Sequence, residues 1–339
     1  MKIYDLAVVG AGPVGLFGVF YAGMRQMSVA IVDSLDQPGG QLTALYPEKY
    51  IYDMPGFPRV MAKDLVRDLW RQAEFTKPDL FFNHKIQKLV PQDSVHELQM
   101  ENGTIVRAKT VMLALGMGAF KPRKLETPGL AEREGKSVHY IVKPLDYYNG
   151  KDVLIIGGGD SAADWCLALA HKGDRPFPRC NQVTHIHRGI KFTAHEATVE
   201  QIKRETSAEI SLTHELQSLS DITENGKARL KCTLINNVSK ETRDIVVDDI
   251  VVCAGYLAKL DFVKDSGLAM QGNSITVNEK METNIPGVFA VGDVCSHGAK
   301  LKLIATGVGE AAIAANFAKV HIDPTAKAFP GHSTSKFEK

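Results

Sequence analysis

Six residues near the start of the chain, Gly10-Ala11-Gly12-Pro13-Val14-Gly15, dictate much of what can surround them. They follow an apolar run, Tyr4–Val9, and open a helical stretch to about Gln26, after which a second apolar run, Val29–Val32, begins. In a G-x-G-x-x-G turn of this kind Gly10 permits the tight bend and Gly12 lets a pyrophosphate approach the backbone. Gly15 lets helix and strand pack closely, and the phosphates sit at the helix N-terminus. Asp33 closes the second strand, where an acid can hold an adenosine ribose hydroxyl. Strand, turn, helix and acid agree, and together they predict a dinucleotide site.

The same grammar recurs. Lys151–Ile156 reads as a strand, Gly157-Gly158-Gly159 as a glycine turn, Asp160–Lys172 as a helix and Val183–His187 as the next strand. Here Ala162 stands in the third glycine position, so Gly157, Gly159, Asp160, Ser161 and Ala162 form the second candidate phosphate site. No acid ends the second strand; Arg188 does, the residue type expected opposite a 2′-phosphate. The first site therefore suits FAD and the second NADPH. Near the C-terminus, Phe289-Ala290-Val291-Gly292-Asp293 places another acid, Asp293, just past a buried strand, where it can hold a ribityl hydroxyl. Two dinucleotide sites in one chain imply a two-electron relay between cofactors.

The rest of the chain fits an α/β architecture. Ala62–Phe75 has helical spacing, with Leu65, Val66, Leu69, Trp70 and Ala73 on one face, and Lys109–Leu115 is a continuous apolar strand. Ala228, Leu230, Cys232 and Leu234 alternate with basic residues as in a half-exposed strand, Ile250–Cys253 reads as buried, and a last helix runs over Ile304–Lys319. At 339 residues the chain is long enough for about two domains. The polar tail beyond, with Pro324, Pro330 and Gly331, reads as a flexible terminus.

Composition narrows the function classes. A net charge of +1 supplies no general basic field for nucleic acid. The apolar run Leu6–Phe20 is broken by glycines and flows into a second strand, so neither a cleaved signal nor a membrane span is expected. The five cysteines, Cys166, Cys180, Cys232, Cys253 and Cys295, include no C-x-x-C pair, which argues against a disulfide framework, a zinc ribbon or a dithiol motif. They read as buried thiols in a reducing, cytoplasmic compartment. No metal is expected; His185, His187, Cys180 and His195 are the candidates weighed for one, and strand packing accounts for them better. Lys121, Arg123, Lys124, Lys300 and Lys302 are candidates for a basic docking patch, weighed against scattered solvated charges.

The paired glycine motifs, with Pro38-Gly39-Gly40-Gln41 and Val291-Gly292-Asp293, resemble the thioredoxin-reductase-like flavoproteins. The stretch His139–Gly150, where thioredoxin reductases carry their dithiol, has no cysteine, which excludes that reaction. Ala44–Lys49, Gly56-Phe57-Pro58, Gly118–Arg123, Lys300–Glu310 and His332-Ser333-Thr334-Ser335 make the whole chain similar to the ferredoxin–NADP reductases of that type.

The resemblance implies two Rossmann-like three-layer domains. A discontinuous FAD domain would comprise residues 1–120 and 286–339, with an NADPH domain inserted at 121–285. It implies FAD contacts at Asp33, Gln41, Tyr46, Ile86, Phe120, Asp293 and Thr334, with Tyr46 and His332 on opposite faces of the flavin ring. It also implies hydride transfer from NADPH to flavin and one-electron steps to ferredoxin or flavodoxin, with no acid–base triad. The family is homodimeric, with the tail covering the partner's flavin. One departure concerns the second site: Gly189 and Thr193 stand where relatives often carry arginine, leaving Arg188 and Lys191. The rival readings are an NAD(P)H-dependent reductase of quinones, small disulfides or oxygen, and a flavin-binding redox sensor without turnover.

Overall fold

The apolar run before the first glycine turn is the strand Ile3–Val9, in which Leu6, Ala7 and Val8 are fully shielded. Near-continuous apolar strands of this kind belong to parallel sheets covered on both faces. The computed structural model describes residues 2–47, 49–173, 180–259, 261–329 and 331. In it the chain forms two units, Met1–Phe120 with Ala258–Lys339, and Lys121–Leu257.

In the first unit, Ile3–Val9 pairs in parallel with Val29–Val32 on one side and Ile105–Leu113 on the other. Asp79–Phe81 extends the sheet beyond Val29–Val32, while His96–Met100 and Ile86–Val90 add an antiparallel extension beyond Ile105–Leu113. Val288–Ala290 completes the seven strands by pairing in parallel with Val111–Leu113. Register decides where the chemistry falls. Val9 lies level with Val32 and with Leu113, and Leu113 with Ala290. Gly10, Asp33, Ala114 and the Val291–Asp293 turn therefore emerge together at the carboxyl edge, where open α/β sheets bind ligands.

The helices Pro13–Met24, Ala62–Glu74 and Ile304–Ile322 belong to this unit. The second shows the predicted face, with Leu65, Val66, Leu69 and Ala73 buried. Arg25, which caps the first helix, is buried, and its guanidinium donates to the carbonyls of Lys327 at 2.7 Å and Ala328 at 3.3 Å and to Asn316. The segment after the last helix is thus held at least as far as Ala328, where composition alone suggested a loose end.

The second unit has a five-stranded parallel sheet in the order Val138–His139, Asp249–Val252, Asp152–Ile156, Gln182–His187, Glu209–Leu212. Ile156 lies level with Ile186 and Val252, so Gly157, His187 and Cys253 share one edge. A three-stranded antiparallel sheet, His214–Glu224, Lys227–Asn236 and Thr242–Val247, packs its alternate residues Leu230, Cys232 and Leu234 into the unit's core.

The chain returns to the first unit at Ala258, not at 286 as the sequence suggested. Val263, Leu268, Ile275, Val277 and Met281 belong to the first unit's core, which draws residues 258–285 to it. No helix among the described residues is long and apolar enough to cross a membrane.

Candidate functional site

The carboxyl edge of the first sheet opens into a cavity of about 670 Å³. Gly10, Gly12, Asp33, Gln41, Tyr46, Ile86 and Asp293 all line it. Each glycine of the first turn does a different job. Gly10 has φ +106°, and a Cβ there would lie 2.3 Å from the Ala114 carbonyl oxygen. A Cβ on Gly15 would lie 1.8 Å from the Gly10 oxygen, so only glycine lets the helix start this close to the strand. A Cβ on Gly12 would meet nothing within 4 Å and would project into open space. The helix beginning at Pro13 has no side-chain cap and no acid in its first turn. Its unneutralised positive end and the bare backbone at Gly12 fit the pyrophosphate of a dinucleotide.

Asp33 sits at the neighbouring strand end. Its Oδ2 accepts from the Ala11 amide at 2.6 Å and its Oδ1 from the Leu35 amide at 2.8 Å, leaving further lone pairs on both oxygens for a ribose. Burial pushes its carboxyl above the ordinary aspartate value, and the backbone bonds only partly offset that. Gln41 opens the short helix Gln41–Ala44 behind Gly39 and Gly40, both at positive φ. Tyr46 is half-buried against the core, with the Lys49 ammonium 5.5 Å from its ring centre. The donors, acids and ring in this one cavity fit FAD. Phe120's side chain, His332 and Thr334 lie outside what the structure describes.

Asp293 is carried by the turn Gly292–Val294, in which Gly292 has φ +74°. The Gly292 amide donates to Glu310 Oε2 at 2.7 Å. Glu310 is a residue the sequence reading missed: it is 7% exposed, in the middle of the helix Ile304–Ile322 among Gly307, Ala311, Ala314 and Ala315. Lys300 Nζ contacts both its oxygens, at 2.7 and 2.8 Å, and His297 Nε2 lies 3.1 Å from Oε1. Burial raises the carboxyl's pKa, but the bonds from Lys300, His297 and Gly292 outweigh it and hold the group below its usual value. Cys295, His297 and Glu310 place three donor atoms within 4.8 Å of one another, a spacing a metal ion could use. The cation on that carboxylate in this structure is the Lys300 ammonium.

This placement narrows the candidate basic patch. Lys300 is largely buried on Glu310 and Lys124 pairs with Glu134, so neither is an unpaired charge. Lys302 lines the cavity, Arg123 is exposed, and Lys121's side chain lies outside the description.

The second glycine turn is built like the first. Gly157 has φ +152°, and a Cβ there would sit 2.5 Å from the Cys253 oxygen and 3.0 Å from the methyl of buried Ala162. At Gly159 the nearest atom to an added Cβ is Thr193 Oγ1, at 3.9 Å. The loop after the strand folds back over this turn: the Thr193 and Ala194 amides donate to the Gly158 carbonyl, at 2.7 and 3.0 Å. Asp160 differs from its counterpart. Its Oδ1 accepts from the His195 amide at 2.8 Å, so an acid sits in the helix's first turn and ties the loop to it. Ser161 and Arg188 are exposed, and Arg188 makes no ion pair among the described residues.

The histidines weighed for a metal serve packing. His185 is buried with Nε2 on the Gly157 carbonyl at 2.9 Å, and burial pushes its pKa down to about 4. His187 stacks on Phe192, and His195 Nδ1 accepts from Ala197 as a helix cap. All five cysteines are free, and burial pushes their thiols up to about 12.

The family model for pyridine nucleotide-disulphide oxidoreductases matches residues 4–316. A protein of Halalkalibacterium halodurans named ferredoxin–NADP reductase is 45% identical over 337 residues, covering 99% of this chain and 98% of that one. Its namesake in Geobacillus kaustophilus is 43% identical over 337 residues, with the same coverage. Among solved structures, Lactococcus lactis thioredoxin reductase superposes with a TM-score of 0.77 at 25% identity, covering 94% of this chain and 99% of that one. The bacillithiol disulfide reductase of Staphylococcus aureus, 16% identical, shares the fold with a TM-score of 0.71 over 94% and 98% of the two chains. With glycine turns, acids and strand register in the arrangement such proteins need, this chain belongs to the pyridine nucleotide-disulphide oxidoreductase family, in the group of the ferredoxin–NADP reductases.

Proposed function

We propose that this chain is an FAD-dependent reductase that passes electrons between NADPH and ferredoxin, with flavodoxin as a second carrier. The observation that carries the reading is the first unit's cavity, where Gly12 leaves the backbone bare and Asp33 and Asp293 stand at the carboxyl ends of two strands of one sheet. FAD supplies the conversion between a two-electron hydride donor and a one-electron carrier. The protein's part is to bind and orient. Gly12 and the helix N-terminus behind it receive the pyrophosphate while Gly10 and Gly15 shape the turn; Asp33 receives the ribose, Asp293 the ribityl chain, and Gln41, Tyr46 and Ile86 the ring. In the second unit Gly157, Gly159, Ser161 and Ala162 receive the NADPH pyrophosphate and Arg188 its 2′-phosphate, with Asp160 fixing the loop beside them.

The disulfide-reductase reading lacks its chemistry, because the cysteines form no C-x-x-C pair and their thiols sit near 12. We also read the protein as a cytoplasmic homodimer whose tail, with His332 and Thr334, covers the partner's flavin. The deciding experiment is ferredoxin-coupled cytochrome c reduction with NADPH and with NADH. Turnover that needs ferredoxin and prefers NADPH supports the reading; ferredoxin-independent quinone reduction alone would replace it. Steady NADPH oxidation with ferricyanide separates an enzyme from a sensor.

A further inference from the structure

A carboxylate in the middle of an apolar helix costs several kcal/mol unless its charge and lone pairs are met. At Glu310 they are met by one short stretch of chain. Gly292 contacts Oε2, and Lys300, eight residues on, contacts both oxygens. Between these two anchors lies Asp293, and two and three residues beyond Lys300 come Lys302 and Leu303, which line the same cavity. The helix itself presses on the turn: a Cβ on Gly307 would lie 2.6 Å from Val14 of the phosphate-binding helix and 3.3 Å from Gly292 Cα. The Val291 amide donates to Leu113 and the Cys295 amide to Gly292, which close the turn; the hydrogen bond from the Gly292 amide to Glu310 is what ties it to the helix.

The geometry points to Glu310 as the positioning residue of the cofactor cavity. It holds the Asp293 turn through Gly292 and the cavity rim through Lys300, without lining the cavity itself. This inference rests on the reading of that cavity as the FAD site.

Two double variants isolate the acceptor from the charge. Glu310→Gln with Lys300→Met keeps an oxygen for the Gly292 amide; Glu310→Leu with Lys300→Met removes it at similar volume. Both discard the buried ion pair, a change that is often neutral when an apolar group replaces it. The readouts are the FAD dissociation constant of the purified protein, the melting temperature of its apo form, and the visible flavin spectrum. The Gln variant is expected to bind FAD within about threefold of wild type. The Leu variant should bind about tenfold to a hundredfold more weakly with an altered flavin spectrum, the scale of one lost buried hydrogen bond. The apo melting temperature of the Leu variant should lie only a few degrees below that of the Gln variant, the cost of the same hydrogen bond to the apoprotein. Equal FAD affinities in the two variants would overturn the inference, as would a flavin spectrum that is the same in both. A wild-type protein that binds no FAD would instead defeat the reading of the cavity.

Discussion

The Ala11 amide points at Asp33 Oδ2, 2.6 Å away, so the strand-end acid and the glycine turn form one hydrogen-bonded unit. An acid in this position orients the turn as well as receiving a ribose. Asp33→Asn puts an amide NH₂ against one of the two backbone N–H groups that now point at the carboxylate. FAD affinity should fall by about tenfold to a hundredfold, from the loss of charge-assisted hydrogen bonds. Fluorescence titration of the apoprotein with FAD checks this; an unchanged affinity would remove Asp33 from the site.

Gly12 and Gly15 should fail in different ways when given a methyl group. Gly15→Ala drives a Cβ to within 1.8 Å of the Gly10 carbonyl oxygen, backbone against backbone. Overpacking of this kind costs about 1–3 kcal/mol or more, so apo stability should drop together with FAD retention. At Gly12 the added methyl meets only open space. Gly12→Ala should therefore leave apo melting near wild type while weakening FAD binding, measured by calorimetry on both forms.

His185 should make the second unit sensitive to acid. It is buried neutral, with Nε2 on Gly157, Phe192's ring 4.8 Å away and Nδ1 without a hydrogen-bond partner among the described residues. Its native pKa of about 4 lies below the unfolded value of 6.5. Between these values the unfolded chain binds more protons, so stability is lost as pH falls through that window. The loss reaches on the order of 3 kcal/mol below it. His185→Gln cannot take up the proton and should flatten urea-unfolding stability between pH 6.5 and 4. A slope equal to wild type would assign the acid sensitivity elsewhere.

Arg188 is the guanidinium at the second strand's end, and Gly189 beside it has no charge to add. Arg188→Ala should raise the NADPH KM by roughly one to two orders of magnitude and leave NADH kinetics nearly unchanged. Steady-state assays with both nucleotides decide it, since equal losses with both would detach Arg188 from the 2′-phosphate. A Gly189→Arg variant would test whether a second cation adds selectivity. Its Cβ would first have to move the His187 ring, 2.7 Å away.

What could be read from sequence was local. A glycine turn between apolar strands states its own conformation, and the acid or arginine at the next strand end follows from a short span of chain. Glu310 and Lys300 were not legible in this way. Ten residues apart, they look like two ordinary surface charges until the helix buries Glu310 and the preceding loop brings Lys300 onto it. The return at Ala258 was hidden for a similar reason. Val263, Ile275 and Met281 are unremarkable apolar residues, and only the fold shows which core receives them. The antiparallel sheet of the second unit was legible only at its middle strand, where apolar and basic residues alternate.

The five thiols, three of them buried and Cys180 and Cys253 partly exposed, share a chemical bias. Burial pushes all five pKa values up to about 12, which favours the protonated thiol at neutral pH, and the thiolate is the form that attacks disulfides, peroxides and alkylating agents. A fold whose solved neighbours include disulfide reductases thus carries its sulfur in the less reactive form. Iodoacetamide, which silences a dithiol enzyme, should leave ferredoxin-dependent turnover intact here, and a loss of turnover on treatment would place a thiol in the flavin route.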